Sequence, residues 1–300
     1  MAIELKELRK TLSYAIQAPV ADVIADLYEI EEINTISELK QREYGKKAVY
    51  YLLGIVGLFI LFMIVGNISL DKGLQALIVV LLFLAFIILA IVWIYALVKR
   101  YKFNKLKISF FRSELAKKIV QMLARDMDQS AVIDLQLSFQ PIERKENKIN
   151  TIKHPNKPGW NIDNYEDTWL KVKGQFLDKT RFELSTIGIC KRQYGWKTGR
   201  SGKSKHKSKT KFLGLDINLS LTYPQRRYGA VKILKNEVSD AIILPELTYL
   251  KGLKVTDKAM HLSVRISPQI AEQEEAVYQT VTSMFLSLYQ VLNLAKMLSK

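Results

Sequence analysis

The alternation of hydrophobic and polar positions changes character along the chain. Ala48 to Val65 (AVYYLLGIVGLFILFMIV) contains no charged residue, and Ala76 to Val98 contains no charge and no side-chain amide. A membrane span needs roughly 20 predominantly apolar residues at about 1.5 Å rise each, and buried soluble helices rarely lack a polar face for so long. The pattern therefore predicts a transmembrane helical hairpin over 48–98, closed by Gly66-Asn67-Ile68-Ser69-Leu70-Asp71-Lys72-Gly73. Ahead of it, Ile3, Leu5, Leu8, Leu12 and Ile16 recur at helical spacing, Pro19 interrupts, and Val20, Val23, Ile24, Leu27 and Ile30 resume. Residues 1–47 are thus predicted to form two amphipathic helices, the second opened at Pro19-Val20, because proline is tolerated in a first turn.

After the second span, Phe110, Phe111, Leu115, Ile119, Met122 and Leu123 form an apolar stripe on a helix predicted over 107–128, with Lys117 and Lys118 opposite. The period then becomes two. Strands are predicted at Val132–Phe139, Trp169–Phe176, Thr180–Cys190, Lys211–Leu221, Ala230–Leu234, Leu253–Val255 and Met260–Ile266, the second and third forming an antiparallel hairpin about Leu177-Asp178-Lys179. The polar stretch 143–160, with its prolines and glycine, is expected to be a loop. Ser267-Pro268 is expected to open a last helix whose wide stripe runs through Ile270, Val277, Val281, Met284, Leu288, Val291, Ala295 and Leu298, the width of a helix packed on a sheet. The expected fold is a membrane protein with a two-helix transmembrane hairpin and a cytoplasmic α+β domain, 99–300, built on a mostly antiparallel sheet.

Charge orients this layout. The net charge is +16, yet residues 1–47 hold 7 Lys/Arg against 9 Asp/Glu, whereas residues 99–300 hold 37 against 19, or +18. Lys40, Arg42, Lys46 and Lys47 precede the first span, and Lys99, Arg100, Lys102, Lys105 and Lys107 follow the second. By the positive-inside rule both termini are cytoplasmic, and Tyr50, Tyr51, Trp93, Tyr95 and Tyr101 occupy the interfacial belt. Cys190 is the only cysteine, so no intrachain disulfide forms, in keeping with a reducing compartment. No cleavable signal peptide is expected, and the first span serves as its own signal.

Candidate chemistry is sparse. Gly199-Arg200-Ser201-Gly202-Lys203-Ser204 ends like a phosphate-binding loop, but Lys197 stands where the first glycine belongs and a strand is predicted to follow instead of a helix. Cys190 lies on a strand without a neighbouring base, His206 sits in the basic stretch and His261 on a distant strand; a small core residue is the simpler reading. His154 has no second ligand at metal spacing. Asp163, Glu166 and Asp167 cluster before a strand, where Lys171, Lys173 or Arg181 could pair with the last two. No enzyme class has its required set, and neither cofactor nor metal is called for. What stands out is Lys191 to Lys211 (KRQYGWKTGRSGKSKHKSKTK), with nine Lys/Arg and no acid in 21 residues. Lys191, Arg192, Trp196, Lys197, Arg200, Lys203, Lys205, Lys207, Lys209 and Lys211 are the candidate site for an anionic surface, expected on a loop between two strands.

The segment from Tyr165-Glu166-Asp167 through VKGQFLDKTRFELSTIG to KFLGLDINLSL and VKIL resembles a family of bacterial membrane proteins defined only as a domain of unknown function. Phe212, Gly214 and Leu215 match its F-x-GL strand, and Val255-Thr256-Asp257 with Ile266-Ser267-Pro268 match a later strand and helix signature. The resemblance covers 115–270; the long C-terminal helix replaces the closing strands of that pattern. It implies an architecture of two N-terminal spans and a cytoplasmic domain, no activity, an envelope role and a LemA-type protein partner. Together these readings describe a multi-pass protein of the bacterial plasma membrane that acts as a non-enzymatic binding or scaffolding module, engaging anionic phospholipid headgroups or a protein partner and open to homo-oligomerisation. The competing readings are a membrane-tethered hydrolase using Cys190 or the acidic cluster, and a tethered module that binds nucleic acid as RNA.

Overall fold

A computed structural model of the protein describes residues 11–67, 72–105, 110–199, 201–234 and 237–299. The described residues divide into one unit up to residue 29 and from residue 110 onward, and a second between residues 30 and 105.

The first unit is organised by an antiparallel sheet in the order β1-β2-β4-β5-β6-β8-β7, with β3 joined to β4. Its strands are β1 (Ser13–Pro19), β2 (Val132–Ser138), β3 (Lys148–Lys153), β4 (Trp160–Gln175), β5 (Arg181–Thr198), β6 (Ser204–Thr222), β7 (Thr248–Val255) and β8 (Ala259–Ile266). Alternation sets the faces. Phe182, Leu184, Leu219, Ile217, Leu262 and Val264 are buried on one side, while Glu183, Ser185, Asn218 and Ser263 line the other.

The helix from α1 (Val20–Asn67) onward is followed by α2 (Lys72–Lys105), α3 (Phe110–Ala124), the single turns α4 (Gln225–Tyr228) and α5 (Val231–Leu234), and α6 (Glu274–Leu298). Helices α3 and α6 pack on each other and on the buried face of the sheet. Leu115, Ile119 and Leu123 of α3 and Val277, Val281, Met284, Leu288 and Leu292 of α6 are all buried in this core. The predicted stripe from Val277 to Ala295 is thus the core face of α6, whereas Ile270 precedes the helix and is half-buried and Leu298 is exposed.

Several elements differ from the sequence expectation. Residues 1–10 of the predicted first helix lie outside the described residues, and its remainder, Ser13–Pro19, is a strand paired with β2 from Ser13↔Ser138 to Pro19↔Val132, not a helix. Leu12 and Ile16 fit a helical repeat, but Tyr14, Ile16 and Ala18 fit a period of two equally well, and the open edge of β2 supplies the ladder. Pro19 ends the strand and α1 starts at Val20, as its position suggests. The polar stretch 143–160 contains a short 3-10 turn at Lys145–Asn147 and the fully exposed edge strand β3, whose lack of a buried face hid it from periodicity. The stretch predicted as a strand at Ala230–Leu234 is instead the helical turn Val231–Leu234, with Val231 and Leu234 buried three residues apart. The last helix begins at Glu274, because Ser267 first donates its backbone N–H to Leu247 and the chain then turns through Ile270 and Gln273.

Phe212-Leu213-Gly214-Leu215 has a physical cause. The β5–β6 register shifts at Ile189/Cys190, and Gly214 opposite it has φ +117, with a Cβ there falling 2.1 Å from the Ile266 carbonyl oxygen. Only glycine fits.

The second unit pairs the remainder of α1 with α2. Tyr44 stacks on Phe103 at 5.7 Å, Gln41 donates to Asn104 at 3.0 Å, and a Cβ on Gly54 would touch Leu89, so the two helices run antiparallel. Both are long and apolar enough to cross a membrane, and their apolar segments are almost wholly unburied. Residues 68–71 of the predicted turn lie outside the described residues.

Candidate functional site

The basic segment is not a loop. It forms the outer halves of β5 and β6, paired without interruption from Lys191↔Lys211 to Thr198↔Ser204. A tight turn closes the ribbon, with Gly199 N–H donating to Lys203 O at 2.9 Å and Gly202 at φ +72. The loop reading failed because lysine and serine give no hydrophobic alternation; the pairing is inherited from the buried halves of the same strands.

Pairing sorts the side chains. Lys191, Lys197, Lys205, Lys207, Lys209 and Lys211 fall on one face, since Lys191 opposes Lys211, Lys197 opposes Lys205, and Gln193 and Gly195 oppose Lys209 and Lys207. The other face carries Arg192, Tyr194, Trp196 and Thr198, opposite Thr210, Ser208, His206 and Ser204. Lys203 lies in the turn, and Arg200 lies outside the described residues. The candidate set therefore separates: the lysines form one charged plane, while Arg192 and Trp196 point the other way. Trp196 is 66% exposed and meets His206 edge-on at 5.6 Å; Arg192 reaches Glu143 at 3.7 Å.

Among the described residues, none of the lysines on that plane takes part in an ion pair. Successive lysines on β6 stand about 6.8 Å apart along the strand, and directly opposed side chains have Cβ atoms about 5 Å apart. Like charges so placed repel, so the plane costs the fold stability in the absence of an anion.

Trp160 joins this face and was not singled out by the sequence. It opposes Gly195, where a Cβ would fall 2.6 Å from its ring, so the absence of a side chain at Gly195 is what seats the indole. Lys157 Nζ lies 4.8 Å from the ring centroid, a cation–π contact, and the indole N–H donates to Trp196 O at 3.2 Å. The apolar pair Trp160 and Ile162, two residues apart, was the available signal, cut short by Asn164 and obscured by the prolines just before it.

The opposite face of the same region holds a structural network. Asp163 accepts from Thr151 at 2.6 Å, Lys148 Nζ at 2.9 Å and Tyr165 OH at 3.2 Å. Burial pushes its carboxyl up, but the hydrogen bonds and charge of Lys148, with help from Thr151, outweigh burial and hold it below the usual carboxylate range. Asp167 accepts from Arg112 at 2.8 Å and Asn147 at 3.2 Å, and Arg112 also donates to Ser138 O and Gln140 O. Glu166 is exposed on the other face. The three carboxylates do not converge, and Lys171 and Lys173 pair instead with Glu183.

Cys190 is buried between Tyr165 and Phe212 in the ladder, with its thiol pushed up to about 11 by burial and then by Glu143 and Asp167. It is protonated at neutral pH and is a poor nucleophile. His261 pairs with Ser220 and Lys254 near the far end of the sheet, so folding does not bring it to Cys190. Gly199 to Ser204 leads into β6 and not into a helix N-terminus, which removes the phosphate-loop geometry. His154 accepts from the backbone N–H of Asn156 at 3.1 Å, and no group of metal-ligating side chains forms among the described residues.

Compared with known families, with curated proteins and with solved structures, the chain finds no match.

Proposed function

We propose that the protein is a membrane-anchored, non-enzymatic binding module whose lysine-faced ribbon engages the anionic headgroups of a cytoplasmic leaflet. The observation that carries this reading is the confinement of lysines without ion-pair partners, among the described residues, to one face of the ribbon, at a repulsive cost that an anionic surface would reverse. An anionic leaflet attracts each nearby Lys or Arg by about 1 kcal/mol. A sheet-borne plane also presents its charges together without the ordering cost of a disordered tail.

The anchor in this reading is the apolar hairpin of α1 and α2. Its outward apolar side chains are supported as lipid-facing by the near absence of protein packing over them. The lysines and arginines flanking both apolar runs favour cytoplasmic termini, and the plasma membrane of a bacterium is the setting the family resemblance implies. Scaffolding of a protein partner, of LemA type by that resemblance, belongs to the same proposal.

The test sets membrane against nucleic acid. Residues 99–300 carry an excess of positive charge that single-stranded RNA would also sense, with the same dependence on salt. Full-length protein in nonionic detergent is offered single-stranded RNA and, after reconstitution, anionic vesicles, as wild type and with Lys205, Lys207, Lys209 and Lys211 changed to Gln. Salt-reversible vesicle binding through the ribbon, lost in the variant and not displaced by RNA, is the expected result. Preference for RNA, or equal vesicle binding by the variant, overturns it.

A further inference from the structure

A groove of about 400 Å³ lies where the C-terminal end of α3, the β4–β5 turn and the middle of α6 meet. That is within the range of small-molecule sites, roughly 300–1,000 Å³. Its wall is aromatic: Phe176 meets Phe285 edge-on at 6.0 Å and Tyr289 at 5.8 Å. Leu177 and Leu286 form the lips, 66% and 60% exposed although both are leucines.

Charge separates this groove from its surroundings. Among the described residues, Asp126 and Asp178 are its only charged lining residues and no Lys or Arg lines it, although residues 109–300 hold 32 Lys/Arg against 19 Asp/Glu. Asp178 is held rigidly. It accepts from Thr180 N–H at 2.8 Å, Thr180 Oγ1 at 2.9 Å and Tyr228 OH at 2.6 Å, with Tyr289 OH at 3.4 Å. Asp126 is exposed, and its carbonyl oxygen accepts the Leu177 N–H at 2.9 Å, which ties the end of α3 to the turn.

We propose that this groove binds a small hydrophobic ammonium, an aromatic or branched alkyl group bearing a cationic nitrogen. The apolar body is matched by the leucines and aromatic wall, and the nitrogen by the carboxylates of Asp126 and Asp178. An anionic amphiphile is repelled by the same carboxylates. This site is separate from the lysine ribbon and stands or falls independently of it.

The probe is benzyltrimethylammonium, added to full-length protein in dodecyl maltoside and followed by saturation-transfer NMR, with benzyl alcohol and benzenesulfonate as neutral and anionic controls. Saturable binding of the cation, with the neutral probe weaker and the anion absent, is expected. Asp126→Asn should weaken the cation by about fivefold, the scale of one partly exposed ion pair. Leu286→Trp, at an exposed lip, should abolish binding without shifting the unfolding midpoint. Equal binding of the three probes, or cation binding untouched by Leu286→Trp, overturns the proposal.

Discussion

At the scale of single residues, the sheet's exposed face holds its most demanding charge. Asp216 is only 3% exposed and accepts a bidentate pair from Arg265, at 2.6 and 2.8 Å, together with Lys251 Nζ. Burial pushes the carboxyl up, but the bonds from Arg265 and Lys251 outweigh it, and Asp216 titrates below the ordinary carboxylate range. The folded-state value is depressed, so this stabilisation is complete above the unfolded carboxyl value of about 3.9 and is lost as pH falls through the lower folded value. Asp216→Asn should therefore lower stability at pH 7 by about 2 kcal/mol and flatten the acid limb below pH ~4, read from urea midpoints across pH. None of this was visible in the sequence, because Asp216, Arg265 and Lys251 meet only once β6, β7 and β8 are in register.

At the scale of elements, the long α6 stripe and the alternating cores of β4, β5, β6 and β8 were legible, since each buries one regular face. Leu288 is fully buried in that stripe, and Leu288→Ala should cost about 2–5 kcal/mol in a denaturant titration, as large-to-small core changes do. What escaped the sequence had no buried face or an ambiguous one. β3 is exposed throughout, β1 shares its apolar positions with a helical repeat, and α5 is too short for its period to register. The candidate site was legible as a composition but not as a geometry. Lys205, Lys207, Lys209 and Lys211 could be seen to alternate, yet whether they faced Lys191 and Lys197 or Arg192 and Trp196 depended on the register with β5.

At the scale of the molecule, a strongly basic sheet unit and an apolar helical unit share one chain, and α1 runs unbroken from Val20 in the first to Asn67 in the second. The proposed topology is testable without removing the native cysteine. Cys190 is 1% exposed, with a thiol pushed up to about 11, so it should remain silent to maleimide in the folded protein at neutral pH. A cysteine placed at Ser69 then reports alone. Labelling of Ser69→Cys by a membrane-impermeant maleimide in intact cells is expected, and labelling only after lysis would reverse the orientation.

The outer half of β6 carries a further consequence. From Ser204 to Lys211 it pairs with β5 on one side, while β8 joins it only from Leu215 onward, so among the described residues its other edge presents backbone donors and acceptors that no neighbouring strand pairs. An edge of this kind is a template for another chain, and lysines are among the residues that blunt it. The same charges that would meet an anionic surface thus also keep copies of the ribbon apart. Polyanions, or lysine acetylation, would silence that repulsion and open the ribbon to strand-to-strand self-association.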